Sequence, residues 1–182
     1  MDQRSRRLRR GWAWFVAAAV AVVVGLALIL PTRHSEAPET TPTPLPGVFS
    51  YPEPQRLQRA QVVEVIDGDT IDVKIGDQQK RVRYYGVNTP ERGERCFDEA
   101  SNRNRQLAGD EVLLLPDARE VDPYGRLLRY IFTSDGLSID ASLVAEGYAH
   151  AWREDGDFRE ELITLEEQAQ TRASGCLWQE QQ

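Results

Sequence analysis

The sequence predicts a small α+β barrel with added helices, set behind an apolar segment and a proline-rich linker. Three observations predict it. Around Asp67-Gly68, two runs within Gln61–Ile75 alternate apolar with polar residues and are rich in β-branched side chains, the pattern of a strand pair joined by a tight turn. The elements that follow come in the order strand, helix, two strands, then helices. All of them lie within residues 57–182, beyond a sharp change of composition near residue 56.

Residues 1–11 form a basic segment carrying Arg4, Arg6, Arg7, Arg9 and Arg10. Residues 12–30, Trp12 to Leu30, are an uninterrupted apolar run of 19 residues. As a helix it would span roughly 28 Å, close to the hydrocarbon thickness of a bilayer. No face of the run is polar, which argues against a buried core helix. Five arginines precede it and only Arg33 follows closely, so the positive-inside rule places the amino terminus in the cytoplasm and the rest outside. The rival reading is a cleavable signal peptide. The run is long for a signal core, and the nearest small-x-small site, Ser35-Glu36-Ala37, is followed by Pro38. An uncleaved single-pass anchor is therefore favoured, with secretion as the outcome if it is cleaved. Residues 31–56 hold seven of the ten prolines, with Thr and Glu filling much of the rest. Such a stretch buries too little apolar area to fold and reads as an extended spacer.

The domain proper is expected over 57–182. Gln61–Ile66 and Thr70–Ile75 read as strands, Gly76-Asp77 as a turn, and Lys80–Val87 as a third strand. Phe97–Ala108 reads as a helix with Ala100, Leu107 and Ala108 inward and Gly109 as its C-cap. Glu111–Leu115 is a strand stopped by Pro116, and Arg126–Thr133 a fifth strand. Ile139–Glu146 reads as a short helix, and Tyr148–Trp152 as extended or irregular. Phe158–Ala173 reads as an amphipathic helix with Leu162, Leu165 and Ala169 inward, capped by Asp155 or Asp157 and ended by Gly175.

Charge restricts the function classes. The net charge is −7, but six of the 22 basic residues and one of the 29 acidic ones lie in residues 1–33. Residues 34–182 therefore carry 16 basic and 28 acidic side chains, a net −12. Phosphate contacts need Lys and Arg, so this body is a poor general nucleic-acid binder. An enzyme acting on nucleic acid would depend on a local cationic site and bound metal.

Such a site is available. Asp67 and Asp69 flank Gly68 in the first turn, Arg83 lies on the third strand, and Asn88, Thr89 and Glu91 follow where that strand ends. Antiparallel pairing brings these groups to one end of a sheet. Hard cations such as Ca²⁺ take several oxygen ligands, and guanidinium groups fork onto phosphoryl oxygens while staying charged. Each residue also has a plain structural reading: Asp-Gly is common in hairpins, Arg81 and Arg83 share one face and one of them can be mere surface, and Glu91 after Pro90 can be a helix-start charge. A lone His150 reads as structural or exposed. Trp152 reads as core at least as well as a base-stacking residue. Cys96 and Cys176, an even pair in an exported domain, suggest a disulfide, with two buried thiols as the alternative.

This stretch, together with Tyr124-Gly125-Arg126, resembles the staphylococcal nuclease (thermonuclease) family, from about Gln61 to Trp178, with three separated motifs in the family's order. The resemblance implies a five-stranded oligonucleotide-binding (OB) barrel with about three helices. It implies a Ca²⁺ site at Asp69, Asn88, Thr89 through its carbonyl, and Glu91. It also implies Glu91 as general base, Arg83 and Arg126 as catalytic phosphate-holding arginines, and Tyr124 beside the substrate. Asn88 departs from the family's Asp and removes one negative charge, which predicts weaker metal binding. The segment between Glu91 and the helix start at Asp98 is shorter than in the staphylococcal enzyme, so substrate preference is expected to differ. The expected activity is Ca²⁺-dependent hydrolysis of phosphodiester bonds in single-stranded or frayed DNA and in RNA, leaving 3′-phosphate ends, by a monomer anchored outside the cytoplasm. The alternatives are a non-catalytic module that binds nucleic acid, and an anchored domain that binds protein with a purely structural metal.

Overall fold

A computed structural model describes residues 57–179. The expected membrane anchor and linker lie outside the described residues, and among those residues no helix is long and apolar enough to cross a membrane.

Five strands close into a barrel: β1 (Gln58–Val65), β2 (Thr70–Ile75), β3 (Gln78–Tyr84), β5 (Glu111–Leu115) and β6 (Leu127–Thr133), in the order β1-β2-β3-β6-β5. All pairings are antiparallel except β3 with β6, and β5 returns to β1 to complete closure. A separate two-residue ladder joins β4 (Val87–Asn88) to β7 (His150–Ala151). Four helices cover the barrel: α1 (Phe97–Ala108), α2 (Ile139–Ala145), α3 (Arg159–Thr171) and the short α4 (Gly175–Trp178).

The alternation read from the sequence is what fills the barrel. Ile71, Val73, Val82, Tyr84, Leu114, Ile131 and Phe132 are buried to 1% exposure or less, while Lys80 and Arg81 on β3 are exposed. α1 turns Ala100 and Ala108 inward as expected, but also Ser101 and Asn104, with Leu107 only half-buried. Asn104 can be fully buried because both ends of its amide are paired. Its Nδ2 donates to the Asp67 carbonyl (2.9 Å), and its Oδ1 accepts from the Tyr84 hydroxyl (2.6 Å). These two bonds fasten α1 to the Asp-Gly-Asp turn.

Three expectations are corrected. The third strand does not run on to Val87. It stops at Tyr84, because Gly86 packs into a gap where a β-carbon would lie 2.4 Å from Leu162, and β4 then pairs with β7 instead. The residue before the first turn of α3 is Phe158, with no side-chain cap. Asp155 is occupied elsewhere, accepting from Arg119, Tyr85 and Trp152. α3 ends at Thr171, and Gly175 opens α4 rather than closing α3.

Gly68 shows how the first turn is locked to the site. A β-carbon there would lie 2.6–2.8 Å from the Thr89 side chain. Gly68→Ala is expected to destabilise the fold by about 1–3 kcal/mol, because Thr89 is itself buried and has nowhere to go. Thermal melting of the variant checks this, and an unchanged Tm would show that Thr89 is free to move.

Candidate active site

Asp69 is the centre of the site. It is 6% exposed and sits where the first turn enters β2. Its Oδ2 accepts from the Thr89 backbone N–H (2.7 Å) and from Thr89 Oγ1 (2.9 Å), while Oδ1 takes only a 3.2 Å bond from Thr70 Oγ1. Burial pushes the Asp69 carboxyl up from its ordinary value, against the opposing pull of Arg83 and Thr89. Asp67 shapes the turn: its Oδ1 accepts from the Asp69 N–H (3.1 Å).

Arg83 leaves β3 toward this carboxylate. The β2–β3 register sets Arg83 opposite Thr70, one residue from Asp69. Arg83 Nη2 lies 3.1 Å from Asp69 Oδ2 and donates to Asn88 Oδ1 at 2.8 Å. Its Nη1 donates to the carbonyls of Tyr84 and Val87, each at 2.7 Å. Thus the break in the third strand is part of the site: the chain bends at Tyr85-Gly86 and wraps its carbonyls around one guanidinium. Arg81, on the same strand face, turns away to Asp72 (2.7 and 2.9 Å). Of the two arginines, Arg83 joins the Asp69 cluster and Arg81 pairs at the surface.

Glu91 is exposed two residues beyond Thr89, and among the described residues its carboxylate makes no hydrogen bond or ion pair. Arg126 enters β6 one residue before Leu127, the parallel partner of Val82. Asp122 holds it: Oδ1 accepts from the backbone N–H of Arg126 and of Tyr124 (both 2.9 Å), and Oδ2 from Arg126 Nε (2.5 Å). Burial works to raise the Asp122 carboxyl, but these hydrogen bonds outweigh it and keep it below its ordinary value. Asp122 thereby orders the loop that carries Tyr124 and Arg126. Tyr124 is 86% exposed, with the Arg126 guanidinium 5.7 Å from its ring centre. Both border an open groove of about 530 Å³ that also reaches Arg81 and Lys80.

The structure thus gathers Asp69, Arg83, Asn88 and Thr89 into one hydrogen-bonded cluster. Glu91, Tyr124 and Arg126 stand free of its bonds. All the proposed ligands are oxygens: the Asp69 and Glu91 carboxylates, the Asn88 amide and the Thr89 carbonyl. That donor set fits a hard cation such as Ca²⁺. Among the described residues no group of three or more His, Cys, Asp or Glu converges, so such a site would lean on neutral oxygens.

A family profile described as staphylococcal nuclease homologue matches residues 81–180. The chain belongs to this family. Its relatives include protein ParB of Escherichia coli, 34% identical over 132 residues, covering 66% of this chain and 72% of that one. The micrococcal nuclease of Shigella flexneri is 34% identical over 103 residues, covering 52% and 59%. The thermonuclease of Staphylococcus hyicus is 30% identical over 164 residues, covering 85% and 93%.

One residue that shapes this staphylococcal nuclease homologue's site carried no warning in the sequence. Asp140 is fully buried and accepts from the N–H groups of Gly86 (3.2 Å) and Ile131 (2.8 Å), bracing the bend beside Arg83. In sequence it is merely an acid in the first turn of a helix. His150 proves structural: its Nδ1 pairs with the buried Glu166 at 2.9 Å, which also takes Arg153. Trp152 is half-buried, with its indole N–H on Asp155 at 2.9 Å. The disulfide Cys96–Cys176 is present.

Proposed function

We propose that this chain is a Ca²⁺-dependent nuclease that hydrolyses phosphodiester bonds of single-stranded or frayed DNA and of RNA, leaving 3′-phosphate ends. The observation that carries the reading is the Arg83 guanidinium, held between Asp69 and Asn88 at the end of β3, with the unengaged Glu91 carboxylate on the segment that follows. Family membership and relatives named micrococcal nuclease and thermonuclease support it.

The chain's own groups divide the work. Glu91 orients a water and takes its proton as the water oxygen bonds to phosphorus. The bond from phosphorus to the 5′ oxygen breaks in line, and that oxygen leaves with the bonding pair and takes a proton from solvent water to become a hydroxyl. Arg83 Nη2 shifts from Asn88 to a phosphoryl oxygen, while Nη1 stays on its two carbonyls, so the donor is positioned before charge develops. Arg126, braced by Asp122, contacts the same group from β6. Tyr124 offers a flat, exposed ring to a neighbouring base. Ca²⁺ held by Asp69, Asn88, Thr89 and Glu91 would supply positive charge to the phosphoryl oxygens. On this reading the active body works outside the cytoplasm as an anchored monomer; the disulfide supports an oxidising location.

The test uses the full chain and a labelled single-stranded oligonucleotide, with Ca²⁺, with EDTA, and with the Glu91→Gln variant in Ca²⁺. Cleavage is expected only with Ca²⁺, and Glu91→Gln is expected to slow it by about 10²–10⁴-fold. Binding without cleavage at millimolar Ca²⁺ by the folded chain would favour the non-catalytic module instead. Asn88 is the observation that would then explain it.

A further inference from the structure

Glu91 sits on a short segment, and its two ends are held very differently. Upstream, Thr89 is buried and donates twice to Asp69. Downstream, the chain first closes on itself: the Glu94 N–H reaches the Glu91 carbonyl (2.9 Å), and Glu94 Oε2 accepts from the Glu91 N–H (2.8 Å). The next two residues are tied to α4. The Arg95 guanidinium donates to the carbonyls of Cys176 and Gln179, and Cys96 is bonded to Cys176. Cys96 holds φ 74°, a left-handed conformation that a residue with a β-carbon rarely adopts, and it enters α1 with no side-chain cap.

α4 has little of its own to hold it. It is four residues long and none of them is fully buried. Its seat is a backbone contact with the α2–β7 turn, where Leu177 N–H donates to the Gly147 carbonyl (3.1 Å). That contact needs two glycines: a β-carbon on Gly147 would lie 2.0 Å from the Ser174 carbonyl oxygen, and one on Gly175 2.1 Å from that of Glu146. Beyond it, the Trp178 ring meets His150 edge-on at 5.2 Å, and His150 is the register partner of Asn88. The carboxyl-terminal strap therefore touches the Glu91 segment on one side and the strand beside Asn88 on the other.

We propose that the disulfide-closed strap positions Glu91, with Arg95, Cys96 and Cys176 as positioning residues for the reaction. The inference rests on the reading of Glu91 as general base. Reducing the disulfide leaves Arg83 and Arg126 on their strands, since neither is bonded to the strap, but releases the downstream hold on Glu91. The loss then falls on turnover rather than on substrate binding. The exchange balances with an external dithiol: one of its thiolates attacks a cystine sulfur, its second thiol resolves the mixed disulfide, and two cysteine thiols plus the cyclic oxidised reagent result.

The experiment compares the full oxidised chain with the same chain in dithiothreitol, with the Cys96→Ser/Cys176→Ser double variant, and with Arg95→Ala. Reduction is expected to lower kcat by about 10- to 100-fold, the scale of a misplaced catalytic group, with KM changed less than about twofold. Removing the reductant and reoxidising restores the rate. In the Glu91→Gln background, reduction changes the residual rate little, because the group being positioned is gone. Amide hydrogen exchange is expected to rise over residues 91–97 and stay unchanged in β2, β3 and β6. An unaltered kcat, or unaltered exchange over 91–97, overturns the proposal. So does a uniform rise across the barrel with kcat and KM failing together, which would make the bridge a global staple only. If the oxidised chain does not cleave at all, the general-base reading fails, and the exchange pattern alone decides whether the strap holds the segment.

Discussion

Arg83→Lys is expected to lower kcat by about 10²–10³-fold while leaving the chain folded. Lysine keeps a charge near Asp69, so the buried carboxylate is not stranded. It cannot, however, reach the carbonyls of Tyr84 and Val87 and the Asn88 amide together, because one ammonium cannot reproduce a planar fork of donors. Arg83→Ala makes the contrast. It leaves Asp69 buried without its ion partner and frees two carbonyls, and breaking a buried pair costs about 3–5 kcal/mol. The two variants separate catalysis from stability: Lys is expected to melt near wild type and cut slowly, Ala to melt low as well. Steady-state rates on a labelled oligonucleotide and a melting curve for each decide it. A lysine variant that cleaves at the wild-type rate would show that the fork is not needed in the transition state.

Asp140→Asn is expected to remove the steepest neutral-range dependence of stability on pH. Burial pushes the Asp140 carboxyl up from 3.8 to about 7, against the pull of the Ile131 and Gly86 N–H groups and of Arg83. The folded protein therefore holds this proton more tightly than the unfolded chain does. Stability from this group is complete below about pH 4 and is lost as pH rises toward 7, where folding must bury the ion. At about 1.4 kcal/mol per pH unit, the loss across that window is on the order of 4 kcal/mol. Asp72, Asp122 and Asp155 are shifted down instead, so their contributions are lost only as pH falls below the ordinary carboxylate range, under this window and alike in both proteins. Denaturant unfolding from pH 4 to 8, subtracting variant from wild type, isolates Asp140. The variant's mismatched amide shifts the whole curve down but not its slope. Equal slopes in the two proteins would mean that Asp140 stays ionised throughout.

Much of this was legible because local pattern and final environment agree. The strand over Glu111–Leu115 and the helix over Phe97–Ala108 follow their patterns to the residue. Val82 and Tyr84 point inward and Arg81 and Arg83 outward, as period-two alternation requires. Errors fell where a distant contact outbids the local signal. The alternation through Tyr85 and Val87 argues for a continuous strand, yet Leu162 on α3 and Asp140 on α2 fill the space beside Gly86 and bend the chain there. Asp155 has the right type and position for a cap, but a bidentate arginine 36 residues away holds it more strongly.

Sequence alone determined which residue types stand at the end of the barrel, and in what order. Asp69 in its turn and Arg83 on β3 are brought together by the β2–β3 register, which the alternating pattern and the Asp-Gly turn set locally. Tertiary structure alone decided how they are held. Two arginines two residues apart look the same in sequence. Only packing sends Arg81 to Asp72 at the surface and Arg83 into a cradle made by a bend that α2 and α3 impose. Burial then raises the Asp69 and Asp140 carboxyls, because desolvation depends on what surrounds a group in space, and residues far along the chain supply those surroundings.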